Sequence, residues 1–288
     1  MPNPELIFPS YSGRTPARKV LVAACAIALA VFAFSALSSA PTAGAAIKRI
    51  ELGASTKKVS PNCGSNFARD CTAEGKVTGY QVLAKGADAR TFVVPFKGKV
   101  VAWSIQLAKP TRKDITENGD THSAQLPFFN DLFASPASAR IAVLKRVQKR
   151  KKGPPRYEMV RQGPTEILNP YFGSTVHFAL SKPLNVIPKQ VVGLTIPTWA
   201  PAYWKPQACN VISLQGDLLD PNGCERAGKY NSWRGSRAPD KCTLGRTGEF
   251  LDNLEKSRPQ QKLNSVKRYG CYYTAGRLLY TATVVAKG

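Results

Sequence analysis

Residues 99–107 read KVVAWSIQL. Val101, Trp103, Ile105 and Leu107 alternate with Ala102, Ser104 and Gln106. Successive side chains of an extended chain point to opposite faces, so this period of two predicts a strand with one buried face. Runs of the same β-branched and aromatic character lie on both sides: YQVL at 80–83, TFVVPF at 91–96, TVHFALS at 175–181, VVGLTI at 191–196 and RLLYTATVV at 277–285. Phe96-Lys97-Gly98-Lys99 reads as a turn between two of them. ARIAVLKRV at 139–147 and RYEMVRQ at 156–162, joined by a basic Gly/Pro link at 148–155, form the clearest hairpin pattern. Pro183 and Pro188 are expected to break the chain between two strands.

Residues 109–137 are a polar insertion whose Phe128, Phe129 and Phe133 are expected to pin it to the core. Residues 206–270 are loop-rich. No long helical pattern occurs beyond the N-terminal segment. Short strands at close spacing predict an all-β antiparallel sandwich or jelly roll with a disulfide-bonded, loop-rich C-terminal part.

The N-terminal segment has its own character. Arg14, Arg18 and Lys19 precede an unbroken apolar run from Val20 to Leu37, and small residues follow to Ala43-Gly44-Ala45. A basic flank, an apolar stretch and an A-x-A site are the parts of a secretory signal peptide, with cleavage expected after Ala45. The alternative is an uncleaved anchor, since eighteen apolar residues just suffice to cross hydrocarbon, and the chain would then still face outward. Cys25 lies too early in the apolar run for a lipid-anchored cysteine. The expected organisation is a signal over 1–45, a lead-in with a small disulfide loop over 46–78, and a sandwich domain over 79–288.

Six cysteines follow the signal: Cys63, Cys71, Cys209, Cys224, Cys242 and Cys271. An even count in an exported chain points to disulfides. Metal binding is not expected, because no C-x-x-C occurs and both histidines lie far from any cysteine. Fifteen pairings are possible; proximity favours Cys63–Cys71, Cys209–Cys224 and Cys242–Cys271.

The succession ARIAVLK, YEMVRQGP, VVGLTIPTWAP, SWRGSR and YGCYYTAGRLLYTATVV resembles a group of uncharacterised secreted proteins of high-GC Gram-positive (actinobacterial) bacteria. The similarity covers roughly residues 75–285 and consists of strand patterns. It implies a β-sandwich and a bacterial, exported protein, and carries over no activity and no functional residue.

Catalytic constellations are not found in the sequence. G-x-S-x-G is absent, and Ser55-Thr56-Lys57-Lys58 matches S-x-x-K without the companion motifs. His177 is expected on a strand surface, facing away from Val176, Phe178 and Leu180. Asp114–Asp120 and Asp217–Gly223 place acids near turns without calcium-loop spacing. No catalytic, cofactor or metal residue is assigned, and no cofactor is expected. A glycosidase would need two facing carboxyls, which sequence cannot place.

Two features remain. Lys145, Arg146, Lys149, Arg150, Lys151, Lys152 and Arg156 crowd one hairpin end, within a net charge that falls from +23 to +21 once the signal is removed. Such a field attracts anionic polymers or a membrane surface, although a solvated loop is the simpler reading. Intracellular nucleic acid is excluded by export. Trp199, Tyr203, Trp204 and Trp233 would suit stacking on sugar rings if exposed; a hydrophobic plug between sheet and tail explains them equally well. The sequence therefore leads to a secreted or surface-held, non-enzymatic binding module for anionic or saccharide envelope polymers. The alternatives are a wall-acting hydrolase and a structural envelope protein without ligand. Oligomeric state is not legible.

Overall fold

The computed structural model describes residues 48–62, 71–87, 91–117, 120–122, 124–147, 153–206, 209, 221–238, 242, 260 and 262–286. The N-terminal segment expected to be a signal lies outside them, as do Cys63 and the basic residues Lys149, Arg150, Lys151 and Lys152.

The described strands are, in chain order, β1 (Arg49–Leu52), β2 (Glu74–Leu83), β3 (Gly98–Gln106), β4 (Ile115–Glu117), β5 (Asp120–His122), β6 (Ser138–Arg146), β7 (Arg156–Gln162), β8 (Glu166–Ile167), β9 (Thr175–Val186), β10 (Val191–Ala200), β11 (Tyr203–Trp204), β12 (Ser232–Gly235), β13 (Val266–Arg268), β14 (Cys271–Thr274), β15 (Arg277–Leu278) and β16 (Tyr280–Ala286). Two short α-helices, α1 (Gln125–Phe133) and α2 (Pro221–Gly228), and a 3-10 turn at Asn169–Tyr171 complete the described set.

The strands form two main antiparallel sheets. The first runs β1-β16-β3-β9; the second runs β13-β7-β6-β10-β2-β12-β14, with β8 added beside β6. Trp103, Ile105, Ala282 and Val284 of the first sheet and Ile141, Val143 and Leu194 of the second are buried in one apolar core. Tyr280 on β16 ties the layers together by donating its hydroxyl to the Val192 carbonyl on β10 at 3.1 Å. The fold is thus the all-β sandwich type expected, and the hairpin at 138–162 pairs as β6 with β7.

Several expectations change. The lead-in is not separate from the sandwich: β1 pairs with β16, Arg49 opposite Val285, and β2 begins at Glu74. The alternation in 99–107 holds only from Trp103 onward. Val100, not Val101, fills the core, because Val101 is an extra residue between Val100 and Ala102 opposite the consecutive Val284 and Thr283. Such a bulge shifts the inside–outside phase by one. β9 continues through Pro183, since an edge strand has no partner awaiting a proline N–H; Ala179 and Leu184 oppose Ala102 and Val100, and Pro183 sits in the chain bulged out between them. Thr91–Phe96 contributes a single bridge, Val93 to Val191, rather than a strand. The insertion folds as α1, where Phe129 and Phe133 are buried and Phe128 points outward.

Gly98 starts β3 where β16 comes closest. A Cβ there would lie 2.1 Å from the Val285 carbonyl oxygen, a backbone atom that cannot swing aside. Gly98→Ala is expected to lower stability by about 3 kcal/mol, the upper range for forcing an extra carbon into packed structure. Denaturant midpoints of the two proteins check it.

Candidate functional site

After β1 the chain turns sharply at Gly53, whose φ of +85° suits glycine. The strap that follows is laced to the turn after β2. Thr56 N–H donates to Gly86 O at 2.9 Å, and Ser55 Oγ donates to Lys85 O at 2.7 Å. Ser55 Oγ also accepts the Lys57 N–H at 3.1 Å, so the serine of the S-x-x-K match fastens a loop.

The strap forms one wall of a cleft of about 680 Å³. Ser104 of β3, Thr175 of β9 and Thr281 of β16 present hydroxyls to it. Ser104 and Thr281 share a hydrogen bond of 2.7 Å, and Thr281 in turn donates to Glu51 Oε1 at 2.7 Å. A second hollow of about 800 Å³ shares Ser60, Gln106 and Thr175 with the first, so the two adjoin. Both volumes lie in the range of ligand sites.

Charge in this double cleft is one-sided. Lys57, Lys58 and Arg277 line the first part, and Lys109 and Arg112 the second; Glu51 is the single carboxylate among the described residues of either lining. Arg277 is the unusual member. It is only 7% exposed, and burial lowers its pKa. Its described partner is the Lys57 carbonyl, to which Nη1 donates at 2.9 Å. Two facing carboxyls of the glycosidase kind are not found among the described residues that line this cleft.

The residues singled out by sequence lie elsewhere. Lys145, Arg146 and Arg156 are exposed at the open end of the β6–β7 hairpin, and none of them lines the cleft. Lys145 sits opposite Glu158 on β7. The stacking reading of the aromatics does not hold for three of the four. Trp199 and Trp233 are fully buried and Tyr203 nearly so, while Trp204 is half-buried. Trp199 packs on Phe129 with ring centroids 5.1 Å apart and donates its indole N–H to Asn130 Oδ1 at 3.1 Å, which pins α1 to β10. Trp233 stacks on Tyr273 at 4.2 Å and meets Tyr203 edge-on. These side chains are the plug between sheet and tail.

His177 is exposed on β9, and Asp114 Oδ1 accepts the Ala124 N–H at 2.7 Å, an ordinary turn role. Asp217–Asp220 lie outside the described residues. Among the described residues no three His, Cys, Asp or Glu side chains gather as a metal site.

Sequence reasoning placed Arg277 at the start of the last strand without a binding role, and gave none to Lys109 or Arg112. No local signal marks Arg277, because its burial comes from a strap more than 200 positions away in sequence.

Cys209–Cys224 and Cys242–Cys271 are bonded as proximity suggested. Cys71 is also disulfide-bonded; the expected pairing with Cys63 falls outside the described residues. No described helix is long and apolar enough to cross a membrane. Comparison with protein-family models, with curated proteins and with solved structures finds no match for this chain.

Proposed function

We propose that the protein is an exported, non-catalytic binding module that holds an anionic, hydroxyl-rich polymer of the cell envelope in the cleft between the 53–60 strap and the first sheet. The observation that carries this reading is the composition of the lining: five bases and one acid among serine, threonine and glutamine side chains. Bases attract the anionic groups, and hydroxyls and amides bond a sugar or polyol backbone. Export is supported by the signal-like residues 1–45 and by the cysteine bridges, which persist in oxidising surroundings. Cleavage after Ala45 releases the protein, and retention of the apolar segment leaves it tethered and facing outward. The basic hairpin end adds long-range attraction without a defined site.

Sedimentation with purified Gram-positive cell wall over a salt series tests the proposal. Retention at low salt and release as screening shortens to about 10 Å near 0.1 M is the expected result. No retention at the lowest salt removes the proposal. Isolation instead in a stoichiometric complex with other surface proteins favours a structural role.

A further inference from the structure

Resting on the cleft as a polymer-binding site, we infer that Arg277 is its anion anchor, receiving one oxyanion of the polymer on the guanidinium edge turned from Lys57 O, with Lys57 and Lys58 closing over the same charge.

A guanidinium carries five N–H donors in a rigid fork, and it stays charged in proteins. None of the Arg277 nitrogens is a buried atom without a partner, so those not bonded reach water at the cleft, where an oxyanion can replace it. In Arg277 one N–H is taken up, by Lys57 O. The one ion pair among the described residues joins Arg237 to Glu74 and leaves Arg277 out. Burial alone accounts for the lowered pKa of Arg277, with no carboxylate acting on it. Glu51 lines the same cleft, but its described hydrogen bond is with Thr281.

The backbone fixes this arrangement from three directions. Arg277 is held in register opposite Trp204 on β11. Next to it, Gly276 O accepts a hydrogen bond from Gln81 Nε2 at 2.9 Å, and Leu278 N–H donates to Gln81 Oε1 at 2.8 Å. The strap carrying Lys57 is fastened at Ser55 and Thr56. The fork is therefore positioned before any ligand arrives, and a preorganised donor loses little entropy on binding.

The chemistry recognised is an oxyanion on a hydroxylated chain. It has two sources, the phosphodiester of a polyol phosphate and the carboxylate of a uronic acid polymer, and the experiment separates them. Purified protein without residues 1–45 is titrated calorimetrically at low salt with a glycerol phosphate oligomer, an oligoglucuronate and a neutral oligoglucan. Binding of one anionic oligomer, with none to the neutral chain, is expected and identifies the source.

Arg277→Gln is expected to weaken that binding at least tenfold. Arg277→Lys keeps the charge but loses the fork and is expected to restore it only partly. Lys57→Ala with Lys58→Ala alters exposed side chains, so an unchanged melting curve with a three- to tenfold loss of affinity keeps the test valid if Arg277→Gln unfolds. Equal affinity of wild type and both sets of variants overturns the anchor. If wall retention persists in Arg277→Gln, the anchor fails while the module stands; if wild type neither binds an oligomer nor sediments with wall, both fall.

Discussion

Glu74→Gln is expected to raise stability at pH 8, whereas Arg237→Met is expected to lower it by about 3–5 kcal/mol, although the two residues form one ion pair. Glu74 opens β2 and Arg237 follows β12. Their side chains are 12% and 1% exposed, and Arg237 Nη1 lies 3.7 Å from Glu74 Oε2. The contact is long, and Glu74 Oε2 has no hydrogen bond. Arg237 is better held: Nη2 donates to Gly75 O at 2.6 Å and Nη1 to the Tyr273 hydroxyl at 2.8 Å. Burial pushes the Glu74 carboxyl from 4.5 up to about 7, and the attraction of Arg237 offsets only part of that.

The pH dependence follows in sign. Between pH 4.5 and about 7 the folded chain keeps a proton on Glu74 that the unfolded chain has released. Stability therefore falls as pH rises through this window and is level above it. At roughly 1.4 kcal/mol per unit the full drop is about 3 kcal/mol. Glutamine has the shape of the protonated acid, so Glu74→Gln should remove the slope, gain at pH 8 and change little at pH 4. Arg237→Met strips two carbonyl- or hydroxyl-bound donors and leaves a buried carboxyl with no cation. Its slope should extend to higher pH, and adding Glu74→Gln should recover part of the loss. Denaturant midpoints at acidic, neutral and mildly alkaline pH provide the measurement. A Glu74→Gln protein weaker than wild type at pH 8 would refute this account.

The same region explains how far the sequence could be read. The strands with clean alternation were legible, because period two is a local property: β6 and β7 lie where their patterns place them, whereas the run 277–285 divides into β15 and β16, which belong to different sheets. β10 was cut short at Ile196 in the sequence reading, yet it continues through Pro197 to Ala200 and is buried along most of both faces. A strand covered on both sides needs a third layer, and the C-terminal part supplies it. Thr78 and Thr195 share a hydrogen bond beneath the Gln260 carbonyl, to which Thr78 donates at 2.6 Å. Gln260 donates to Tyr157 O and Ser265 O and accepts the Tyr269 hydroxyl. Polar residues in a loop-rich tail read as surface; here each is buried because its partner lies about 100 to 180 positions away. The tryptophans read either as sugar-stacking rings or as a plug between sheet and tail. The packing of α1 and the tail decides for the plug, which covers Trp199 and Trp233 fully. The cleft was illegible for a similar reason, since its bases come from the strap, the stretch after β3 and β15, each too sparse to form a motif. Turn acids, by contrast, were read as turns, and Asp114 is one.

Opening Cys242–Cys271 is expected to detach that third layer. The bridge closes a separation of 29 residues and Cys209–Cys224 one of 15. The chain-entropy relation assigns loops of those lengths about 4 and about 3 kcal/mol. Together they rival the whole net stability of a typical domain, about 5–15 kcal/mol. Cys242–Cys271 anchors the tail at β14, the edge strand beside β12, whereas Cys209–Cys224 ties position 209 to α2. The consequences should differ in place as well as size. A Cys242→Ala, Cys271→Ala protein should lose amide-exchange protection at Gln260 and along β13. It should also expose the Tyr80–Tyr157–Tyr269 cluster, whose rings meet within 5.1–5.7 Å. A Cys209→Ala, Cys224→Ala protein should lose about 3 kcal/mol and leave that cluster covered. Equal protection of the cluster in both proteins would mean that hydrogen bonding through Gln260 holds the layer unaided. If the bridges matter as calculated, the chain made in a reducing cytoplasm should accumulate as insoluble material and the same chain passed to an oxidising compartment should fold. The dependence of the tail on its disulfides then agrees with the proposed export, independent of what the cleft binds.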